Sequence, residues 1–379
     1  MSTDVVEEQF GGTGTGVEAE VTDSDTAGPK PWDPERIRVT TKNFSLRNIL
    51  DMIDSEDLEL APDFQRNRVW KSRQKSRLIE SLLLQIPLPA FYFAEDADGM
   101  LRVVDGLQRL STIHSFARES AFMLSDLEYL KDREGMTFSA LDPSLQRRLH
   151  NTQIVAHVID PTTPDEVKYD IFKRINTGGE PLNGMEVRHC MSKTRGRAFL
   201  KRCVGRDEFY RATNGALENH IRMHDREAAL RFVAFRLLDT TDQYEEFGSL
   251  ERLLDWAAGV LDDPKQVSDR ELDEILREFA AAMDNAHLVF GAHAFRKWPE
   301  GDDRLYPINR ALFESWAFAL SEYPLASVGS HAETIAKLAR SKMTLNRRYI
   351  ESISSSTSDW RRVRERFAVP REILERTIK

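Results

Sequence analysis

Asp105, Gln108 and Arg109 are the residues whose types and spacing point most directly to chemistry; they fall in Val103-Val104-Asp105-Gly106-Leu107-Gln108-Arg109-Leu110-Ser111-Thr112. A carboxylate at Asp105 could bind Mg²⁺ through oxygen or polarise a water. Gly106 has no Cβ to keep an anion off the backbone. An amide and a planar guanidinium, at Gln108 and Arg109, could grip phosphate oxygens. The flanking pattern says what positions them. Leu101–Val104 is a short apolar run with adjacent valines, suited to a buried strand. Leu110, Ile113, Phe116 and Ala117 recur at helical spacing, so a helix starts directly after Gly106. The first amides of such a helix are unpaired and its dipole is positive there, a ready anion site. Arg109 in that first turn runs against the dipole, and a bound anion would remove the conflict. Asp-Gly is also a common turn dipeptide and Asp an ordinary helix cap. These residues alone leave a plain structural turn and a phosphate site both open.

Composition sets the frame. The chain has 379 residues, 41% hydrophobic and 30% charged, with a net charge of −9. That suits an ordinary folded protein of two domains, or of one large domain with an extension, and argues against one that coats nucleic acid nonspecifically. The charge is uneven: seven acids against the single base Lys30 in the first thirty residues, but twelve Lys/Arg against five Asp/Glu from Lys337 to Lys379. A basic C-terminal face could meet nucleic acid, or be a solvated helix surface. Cys190 and Cys203 have neither zinc spacing nor a disulfide framework. With no apolar run of membrane length and no signal pattern, the expected location is the cytoplasm, away from any membrane.

Along the chain, residues 1–34 are rich in Gly, Thr, Asp and Glu and read as a disordered acidic tail. A strand is expected near Ile37–Thr40, then a helix capped by Ser45 and carrying Leu46, Ile49, Leu50 and Ile53. Leu58-Glu59-Leu60 alternates like a strand. Arg66, Arg68, Lys71, Arg73, Lys75 and Arg77 crowd the next stretch, and from Lys71 to Gln85 a helix places Leu78, Ile79, Leu82, Leu83 and Ile86 on one side. Pro87 and Pro89 end it and lead into a strand at Ala90–Phe93. Gln153–Ile159 alternates as a further strand. A helix opened by Pro164 ends at Asn176-Thr177-Gly178-Gly179, which reads either as a helix cap or as a backbone cradle for a phosphate or base. Beyond 195 the pattern is helical, over Asp225–Leu238, Leu250–Leu261, Asp269–Met283, Asn309–Leu320 and His331–Arg340. His220 and His224 lie four apart, but with no partnering Glu and no third ligand they make a poor metal motif. The fold class is α+β, with residues 35–195 a mixed-sheet domain and 196–379 a helical domain with a basic end.

Four blocks in one order carry a resemblance: "PDFQRNRVW" at 62–70, "LIESLLLQIPLP" at 78–89, "DGLQRLSTIHSF" at 105–116 and "FKRINTGGEPLNGMEVR" at 172–188. Together they resemble the GmrSD restriction-endonuclease N-terminal domain family, whose signature is DGQQR. Leu107 replaces the first Gln of that signature; the Asp, Gly, second Gln and Arg remain. The resemblance implies a ParB/sulfiredoxin-like fold and a nucleotide-binding, NTP-hydrolysing module of a DNA-directed defence or regulatory system. On its terms Asp105, Gln108 and Arg109 are catalytic and Asp105 holds Mg²⁺. Gly106, Gln65, Arg66, Arg174, Asn176, Thr177, Gly178 and Gly179 bind the nucleotide, with Glu186 and Arg188 following in the last block. Longer relatives add a C-terminal nuclease of the His-rich, metal-dependent type. No such block stands late in this sequence, so autonomous DNA cutting is not expected and a separate nuclease or defence protein is the implied partner. The alternative is a non-catalytic nucleic-acid-binding or adaptor protein that keeps the fold as a scaffold.

Overall fold

The computed structural model describes residues 5–20, 37–60, 70–96, 98–175, 182–238 and 240–378. The chain divides into two compact units, one formed by residues up to 30 together with 192–379, the other by 31–191.

The second unit carries the signature and is built on a mixed sheet. Its strands are β3 (Val39–Ser45), β4 (Leu58–Glu59), β5 (Phe91–Glu95), β6 (Leu101–Asp105) and β7 (Gln153–Ile159). Among the described residues their order is β3-β7-β5-β6-β4. β5 runs parallel to β7 and antiparallel to β6, β3 is antiparallel to β7, and β4 is parallel to β6. The helices are α1 (Leu46–Asp54), α2 (Ser72–Leu83), α3 (Leu107–Ala117), α4 (Pro143–Asn151), α5 (Asp165–Ile175) and α6 (Gly184–Met191).

Local chemistry explains these boundaries. Ser45 accepts a hydrogen bond from the Asn48 amide and caps α1, as its position before the apolar repeat predicts. In α2, Leu78, Ile79, Leu82 and Leu83 are buried. Ile86 departs from the expected stripe and is 48% exposed, because the helix stops at Leu83 and Gln85 takes a positive φ. Phe91, Phe93, Ala156, Val158 and Val103 are all buried and, by strand alternation, share one face of the sheet. On the other face Arg102 bonds Asp96 at 2.6 Å and Glu59 at 3.3 Å and donates to the carbonyl of Met191 at 2.9 Å, which pins the end of α6.

The first unit overturns one expectation. Residues 5–20 are not a disordered tail: β1 (Glu7–Phe10) and β2 (Thr13–Glu18) form a hairpin with Thr15, Val17 and Glu18 buried. The hairpin belongs with the helices that follow residue 192, so the division at 34 puts it on the wrong side. Those helices are α7 (Thr194–Val204), α8 (Asp207–Thr213), α9 (His224–Arg236), α10 (Tyr244–Phe247), α11 (Leu250–Asp262) and α12 (Asp269–Phe290). They continue with α13 (Arg310–Ser321), α14 (Leu325–Gly329), α15 (Ala332–Leu345), α16 (Arg347–Ser352) and α17 (Trp360–Thr377). Phe209, Phe232, Phe279 and Phe313 meet at its centre. β2 docks through backbone bonds, Glu18 N to Ile308 O and Ile308 N to Gly16 O, both 2.8 Å. Among the described residues no helix is long and apolar enough to cross a membrane.

Candidate functional site

β6 ends on Asp105, Gly106 turns the chain, and α3 begins at Leu107. Gly106 holds φ +97°, and a Cβ there would lie 2.2 Å from Cδ1 of the buried Phe91 ring. Glycine is therefore required twice over, by backbone conformation and by space. As N-cap it has no side chain to cap the helix with, so α3 opens without a side-chain cap.

Arg109 reaches back from the first turn of α3. Its guanidinium lies 4.2 Å from the centre of the Phe91 ring and donates to the carbonyl oxygens of Pro89 and Ala90, the latter at 3.2 Å. Nη2 also donates to Oδ2 of Asp105 at 2.8 Å. Burial pushes the Arg109 guanidinium down from its ordinary value, and the Asp105 carboxylate opposes that. Arg109 is thus a strut between the start of β5 and the end of β6. Among the described residues its Nε–H and one Nη1–H have no acceptor. The Asp105 side chain is 33% exposed, with one oxygen on Arg109; Oδ1 has no partner among the described residues. Gln108 is half-buried in the same turn.

The structure thus brings Asp105, Gly106 and Arg109 together, with Gln108 beside them. Arg174 stands on α5, largely exposed, its Nε 3.3 Å from Asp170 one turn earlier. Gln65, Arg66 and Asn176–Gly179 lie outside the described residues.

Strand register adds residues that sequence reasoning did not single out. Asp105 pairs with Tyr92 across β6 and β5, Tyr92 with His157 across β5 and β7, and His157 with Thr41 across β7 and β3. Val104 is one residue too many between the Phe93–Val103 and Tyr92–Asp105 pairs, a bulge that returns Asp105 to the face of Tyr92; directly paired residues share a face, so these four form one polar row across the sheet. The Tyr92 and His157 rings are 4.8 Å apart, and Nδ1 of His157 is 3.0 Å from Oγ1 of Thr41. The visible signal was His157 in an alternating strand on the same side as exposed Val155 and Gln153.

Residues 46–191 match the family model described as the GmrSD restriction endonuclease N-terminal domain. This unit belongs to the GmrSD N-terminal domain family. No curated protein matches the chain. Membership gives the GmrSD unit a restriction-related context, and the structure sorts its sequence blocks by what they touch. Glu80 of the "LIES" block is structural: its carboxylate accepts from the amides of Glu128, Tyr129 and Leu130 at 2.7–3.0 Å. Burial alone would raise that carboxyl, but the three amides outweigh it and hold it below its ordinary value. Glu186 is structural too, closing a reciprocal cap with Asn183 at 2.8 Å in both directions. The GmrSD signature itself is different, since one oxygen of its partly exposed acid has no partner among the described residues.

Outside the GmrSD unit the other candidates have structural partners. His224 lies 3.2 Å from Glu8, and Nε2 of His220 lies 2.8 Å from the Thr15 carbonyl, so both histidines bind the hairpin. The basic C-terminal end is paired in part: Arg366 with buried Glu314, Arg364 with Asp242, Lys342 with Glu372 and Arg347 with Glu351.

Proposed function

We propose that the GmrSD unit binds a nucleoside triphosphate at the β6–α3 junction and hydrolyses it, as the nucleotide module of a DNA-directed restriction or regulatory system. The observation that carries this reading is a carboxylate fixed by the half-buried Arg109 strut, with an oxygen unpartnered among the described residues at the start of a helix that has no side-chain cap. The helix dipole and the glycine turn favour phosphate there. Asp105 offers a single oxygen donor, which suits a hard cation shared with substrate phosphates and water. Mg²⁺ bound through Asp105 Oδ1 would supply neutralisation of phosphate charge. Without the ion, the same Asp105 oxygen would instead accept from, and so orient, an attacking water. Gln108 holds phosphate oxygens or that water, and the remaining N–H groups of Arg109 meet charge that develops on the phosphate. Gln65, Arg66, Arg174 and Asn176–Gly179 complete the nucleotide site by their place in the family blocks. DNA and a separate nuclease or defence protein are the proposed partners, in the cytoplasm.

The test is phosphate release from ATP, GTP, CTP and UTP with Mg²⁺, with and without DNA. Asp105→Asn should lower turnover at least about 100-fold, roughly 2.7 kcal/mol of barrier. Undiminished turnover in Asp105→Asn removes the enzymatic reading. The anchoring of Arg109 favours one second reading, binding without turnover by an adaptor, and nucleotide affinity with no phosphate release selects it.

A further inference from the structure

The row that begins at Asp105 does not stop there. Strand neighbours lie about 4.8 Å apart, so Asp105, Tyr92, His157 and Thr41 span about 14 Å across the sheet, comparable to an extended nucleoside triphosphate. Tyr92 and His157 are half-buried and Thr41 is exposed. Val155, on the same face, is 41% exposed. Half-buried rings on a sheet face are what a base or sugar stacks on. Their polar tips are not consumed within the unit. His157 engages Thr41 through Nδ1, while its Nε2 and the Tyr92 hydroxyl have no partner among the described residues.

We infer that Tyr92, His157 and Thr41 form the nucleoside shelf of the Asp105 site. This rests on the phosphate reading above and adds to it where the rest of the nucleotide lies. With phosphates at the mouth of α3, the sugar passes over Tyr92 and the base lies over His157. The Thr41 hydroxyl bonds Nδ1 of His157 and fixes the ring. Nε2 of His157 and the Tyr92 hydroxyl are then the groups that meet base and ribose edges. Tyr92 and His157 are binding residues here, with no part in the hydrolytic step.

The experiment is calorimetric titration of the full chain, in Mg²⁺, with inorganic tripolyphosphate and with the β,γ-imido analogues of ATP, GTP, CTP and UTP. The wild-type chain should bind its preferred analogue at least about ten-fold more tightly than tripolyphosphate, as expected for a stacked base. Tyr92→Leu and His157→Ala should each remove most of that preference while leaving tripolyphosphate affinity unchanged; Tyr92→Phe, which keeps the ring, should stay within about three-fold of wild type. Unchanged analogue binding in both Tyr92→Leu and His157→Ala overturns the shelf, as does an equal loss for tripolyphosphate. Wild-type chain that binds tripolyphosphate and all analogues equally also removes the shelf and leaves the phosphate site standing. A chain that binds none of the probes removes both.

Discussion

Two acid–arginine pairs, one in each unit, show opposite uses of the same chemistry. In the helical unit Glu314 and Arg366 are both fully enclosed. One Glu314 oxygen takes Arg366 and the other takes Arg231 at 3.2 Å. Arg231 goes on to Glu227 at 2.8 Å and Glu20 at 2.6 Å, so every charge in that chain of contacts is answered by another. At the β6–α3 junction Asp105 has one oxygen answered and one without a partner among the described residues, and Arg109 is held mainly by backbone carbonyls. A closed network has no capacity left for a ligand. A half-answered pair at an anion-attracting helix end keeps that capacity, and this separates scaffold from site more sharply than charge or burial alone.

The comparison can be broken at several points. The largest effect is expected from Glu314→Ala, which leaves the buried Arg366 guanidinium without an acid and takes one of three acids from Arg231, and should cost about 3–5 kcal/mol of stability in denaturant unfolding. A loss under 1 kcal/mol would show the network to be dispensable. Gly106→Ala should follow, at about 2–3 kcal/mol, from a strained φ and collision with Phe91, and should abolish nucleotide turnover in the remaining folded protein. Glu80→Gln removes a carboxylate that answers three amides and should cost about 1–2 kcal/mol at pH 7. The Glu80 carboxyl is lowered in the folded chain, so its contribution is full above its ordinary value of 4.5 and fades as pH falls through the folded value. The gap between wild type and Glu80→Gln should accordingly close in acid, and a gap that widens would contradict the assignment. The smallest effect is at the hairpin. Burial pushes the Glu8 carboxyl up, but His224 and Arg310 bring it down to about 2. Its contribution is complete above pH 4.5 and lost toward pH 2. Glu8→Gln should reduce hydrogen-exchange protection in residues 7–18 at neutral pH, by about 1 kcal/mol, with little change elsewhere.

Much of this architecture was legible because it is local. The α2 stripe, the Ser45 cap and the alternation of β7 depend on neighbours within a few residues, and each element formed close to where its period placed it. The β6–glycine–α3 junction was legible for the same reason, together with the motif blocks. What stayed hidden depends on distant partners. Thr13–Glu18 has a single large apolar residue, Val17, and looks like tail until Ile308 and Arg310 arrive. Glu80 reads as a surface acid because the amides it answers are almost fifty residues away. The row from Asp105 to Thr41 exists only through strand register, which neither periodicity nor composition encodes.

The hairpin carries a consequence for how this chain comes into being. Its carbonyl at Glu18 is met by Arg310, 292 positions further on, so during synthesis the strand pair is exposed long before its dock has been translated. The GmrSD unit, continuous between 31 and 191, has all it needs much sooner. Residues 5–20 thus close the helical unit late, and shortening the chain ahead of residue 20 to tidy it for expression would leave the buried faces of Ile308, Arg310 and His224 bare to water.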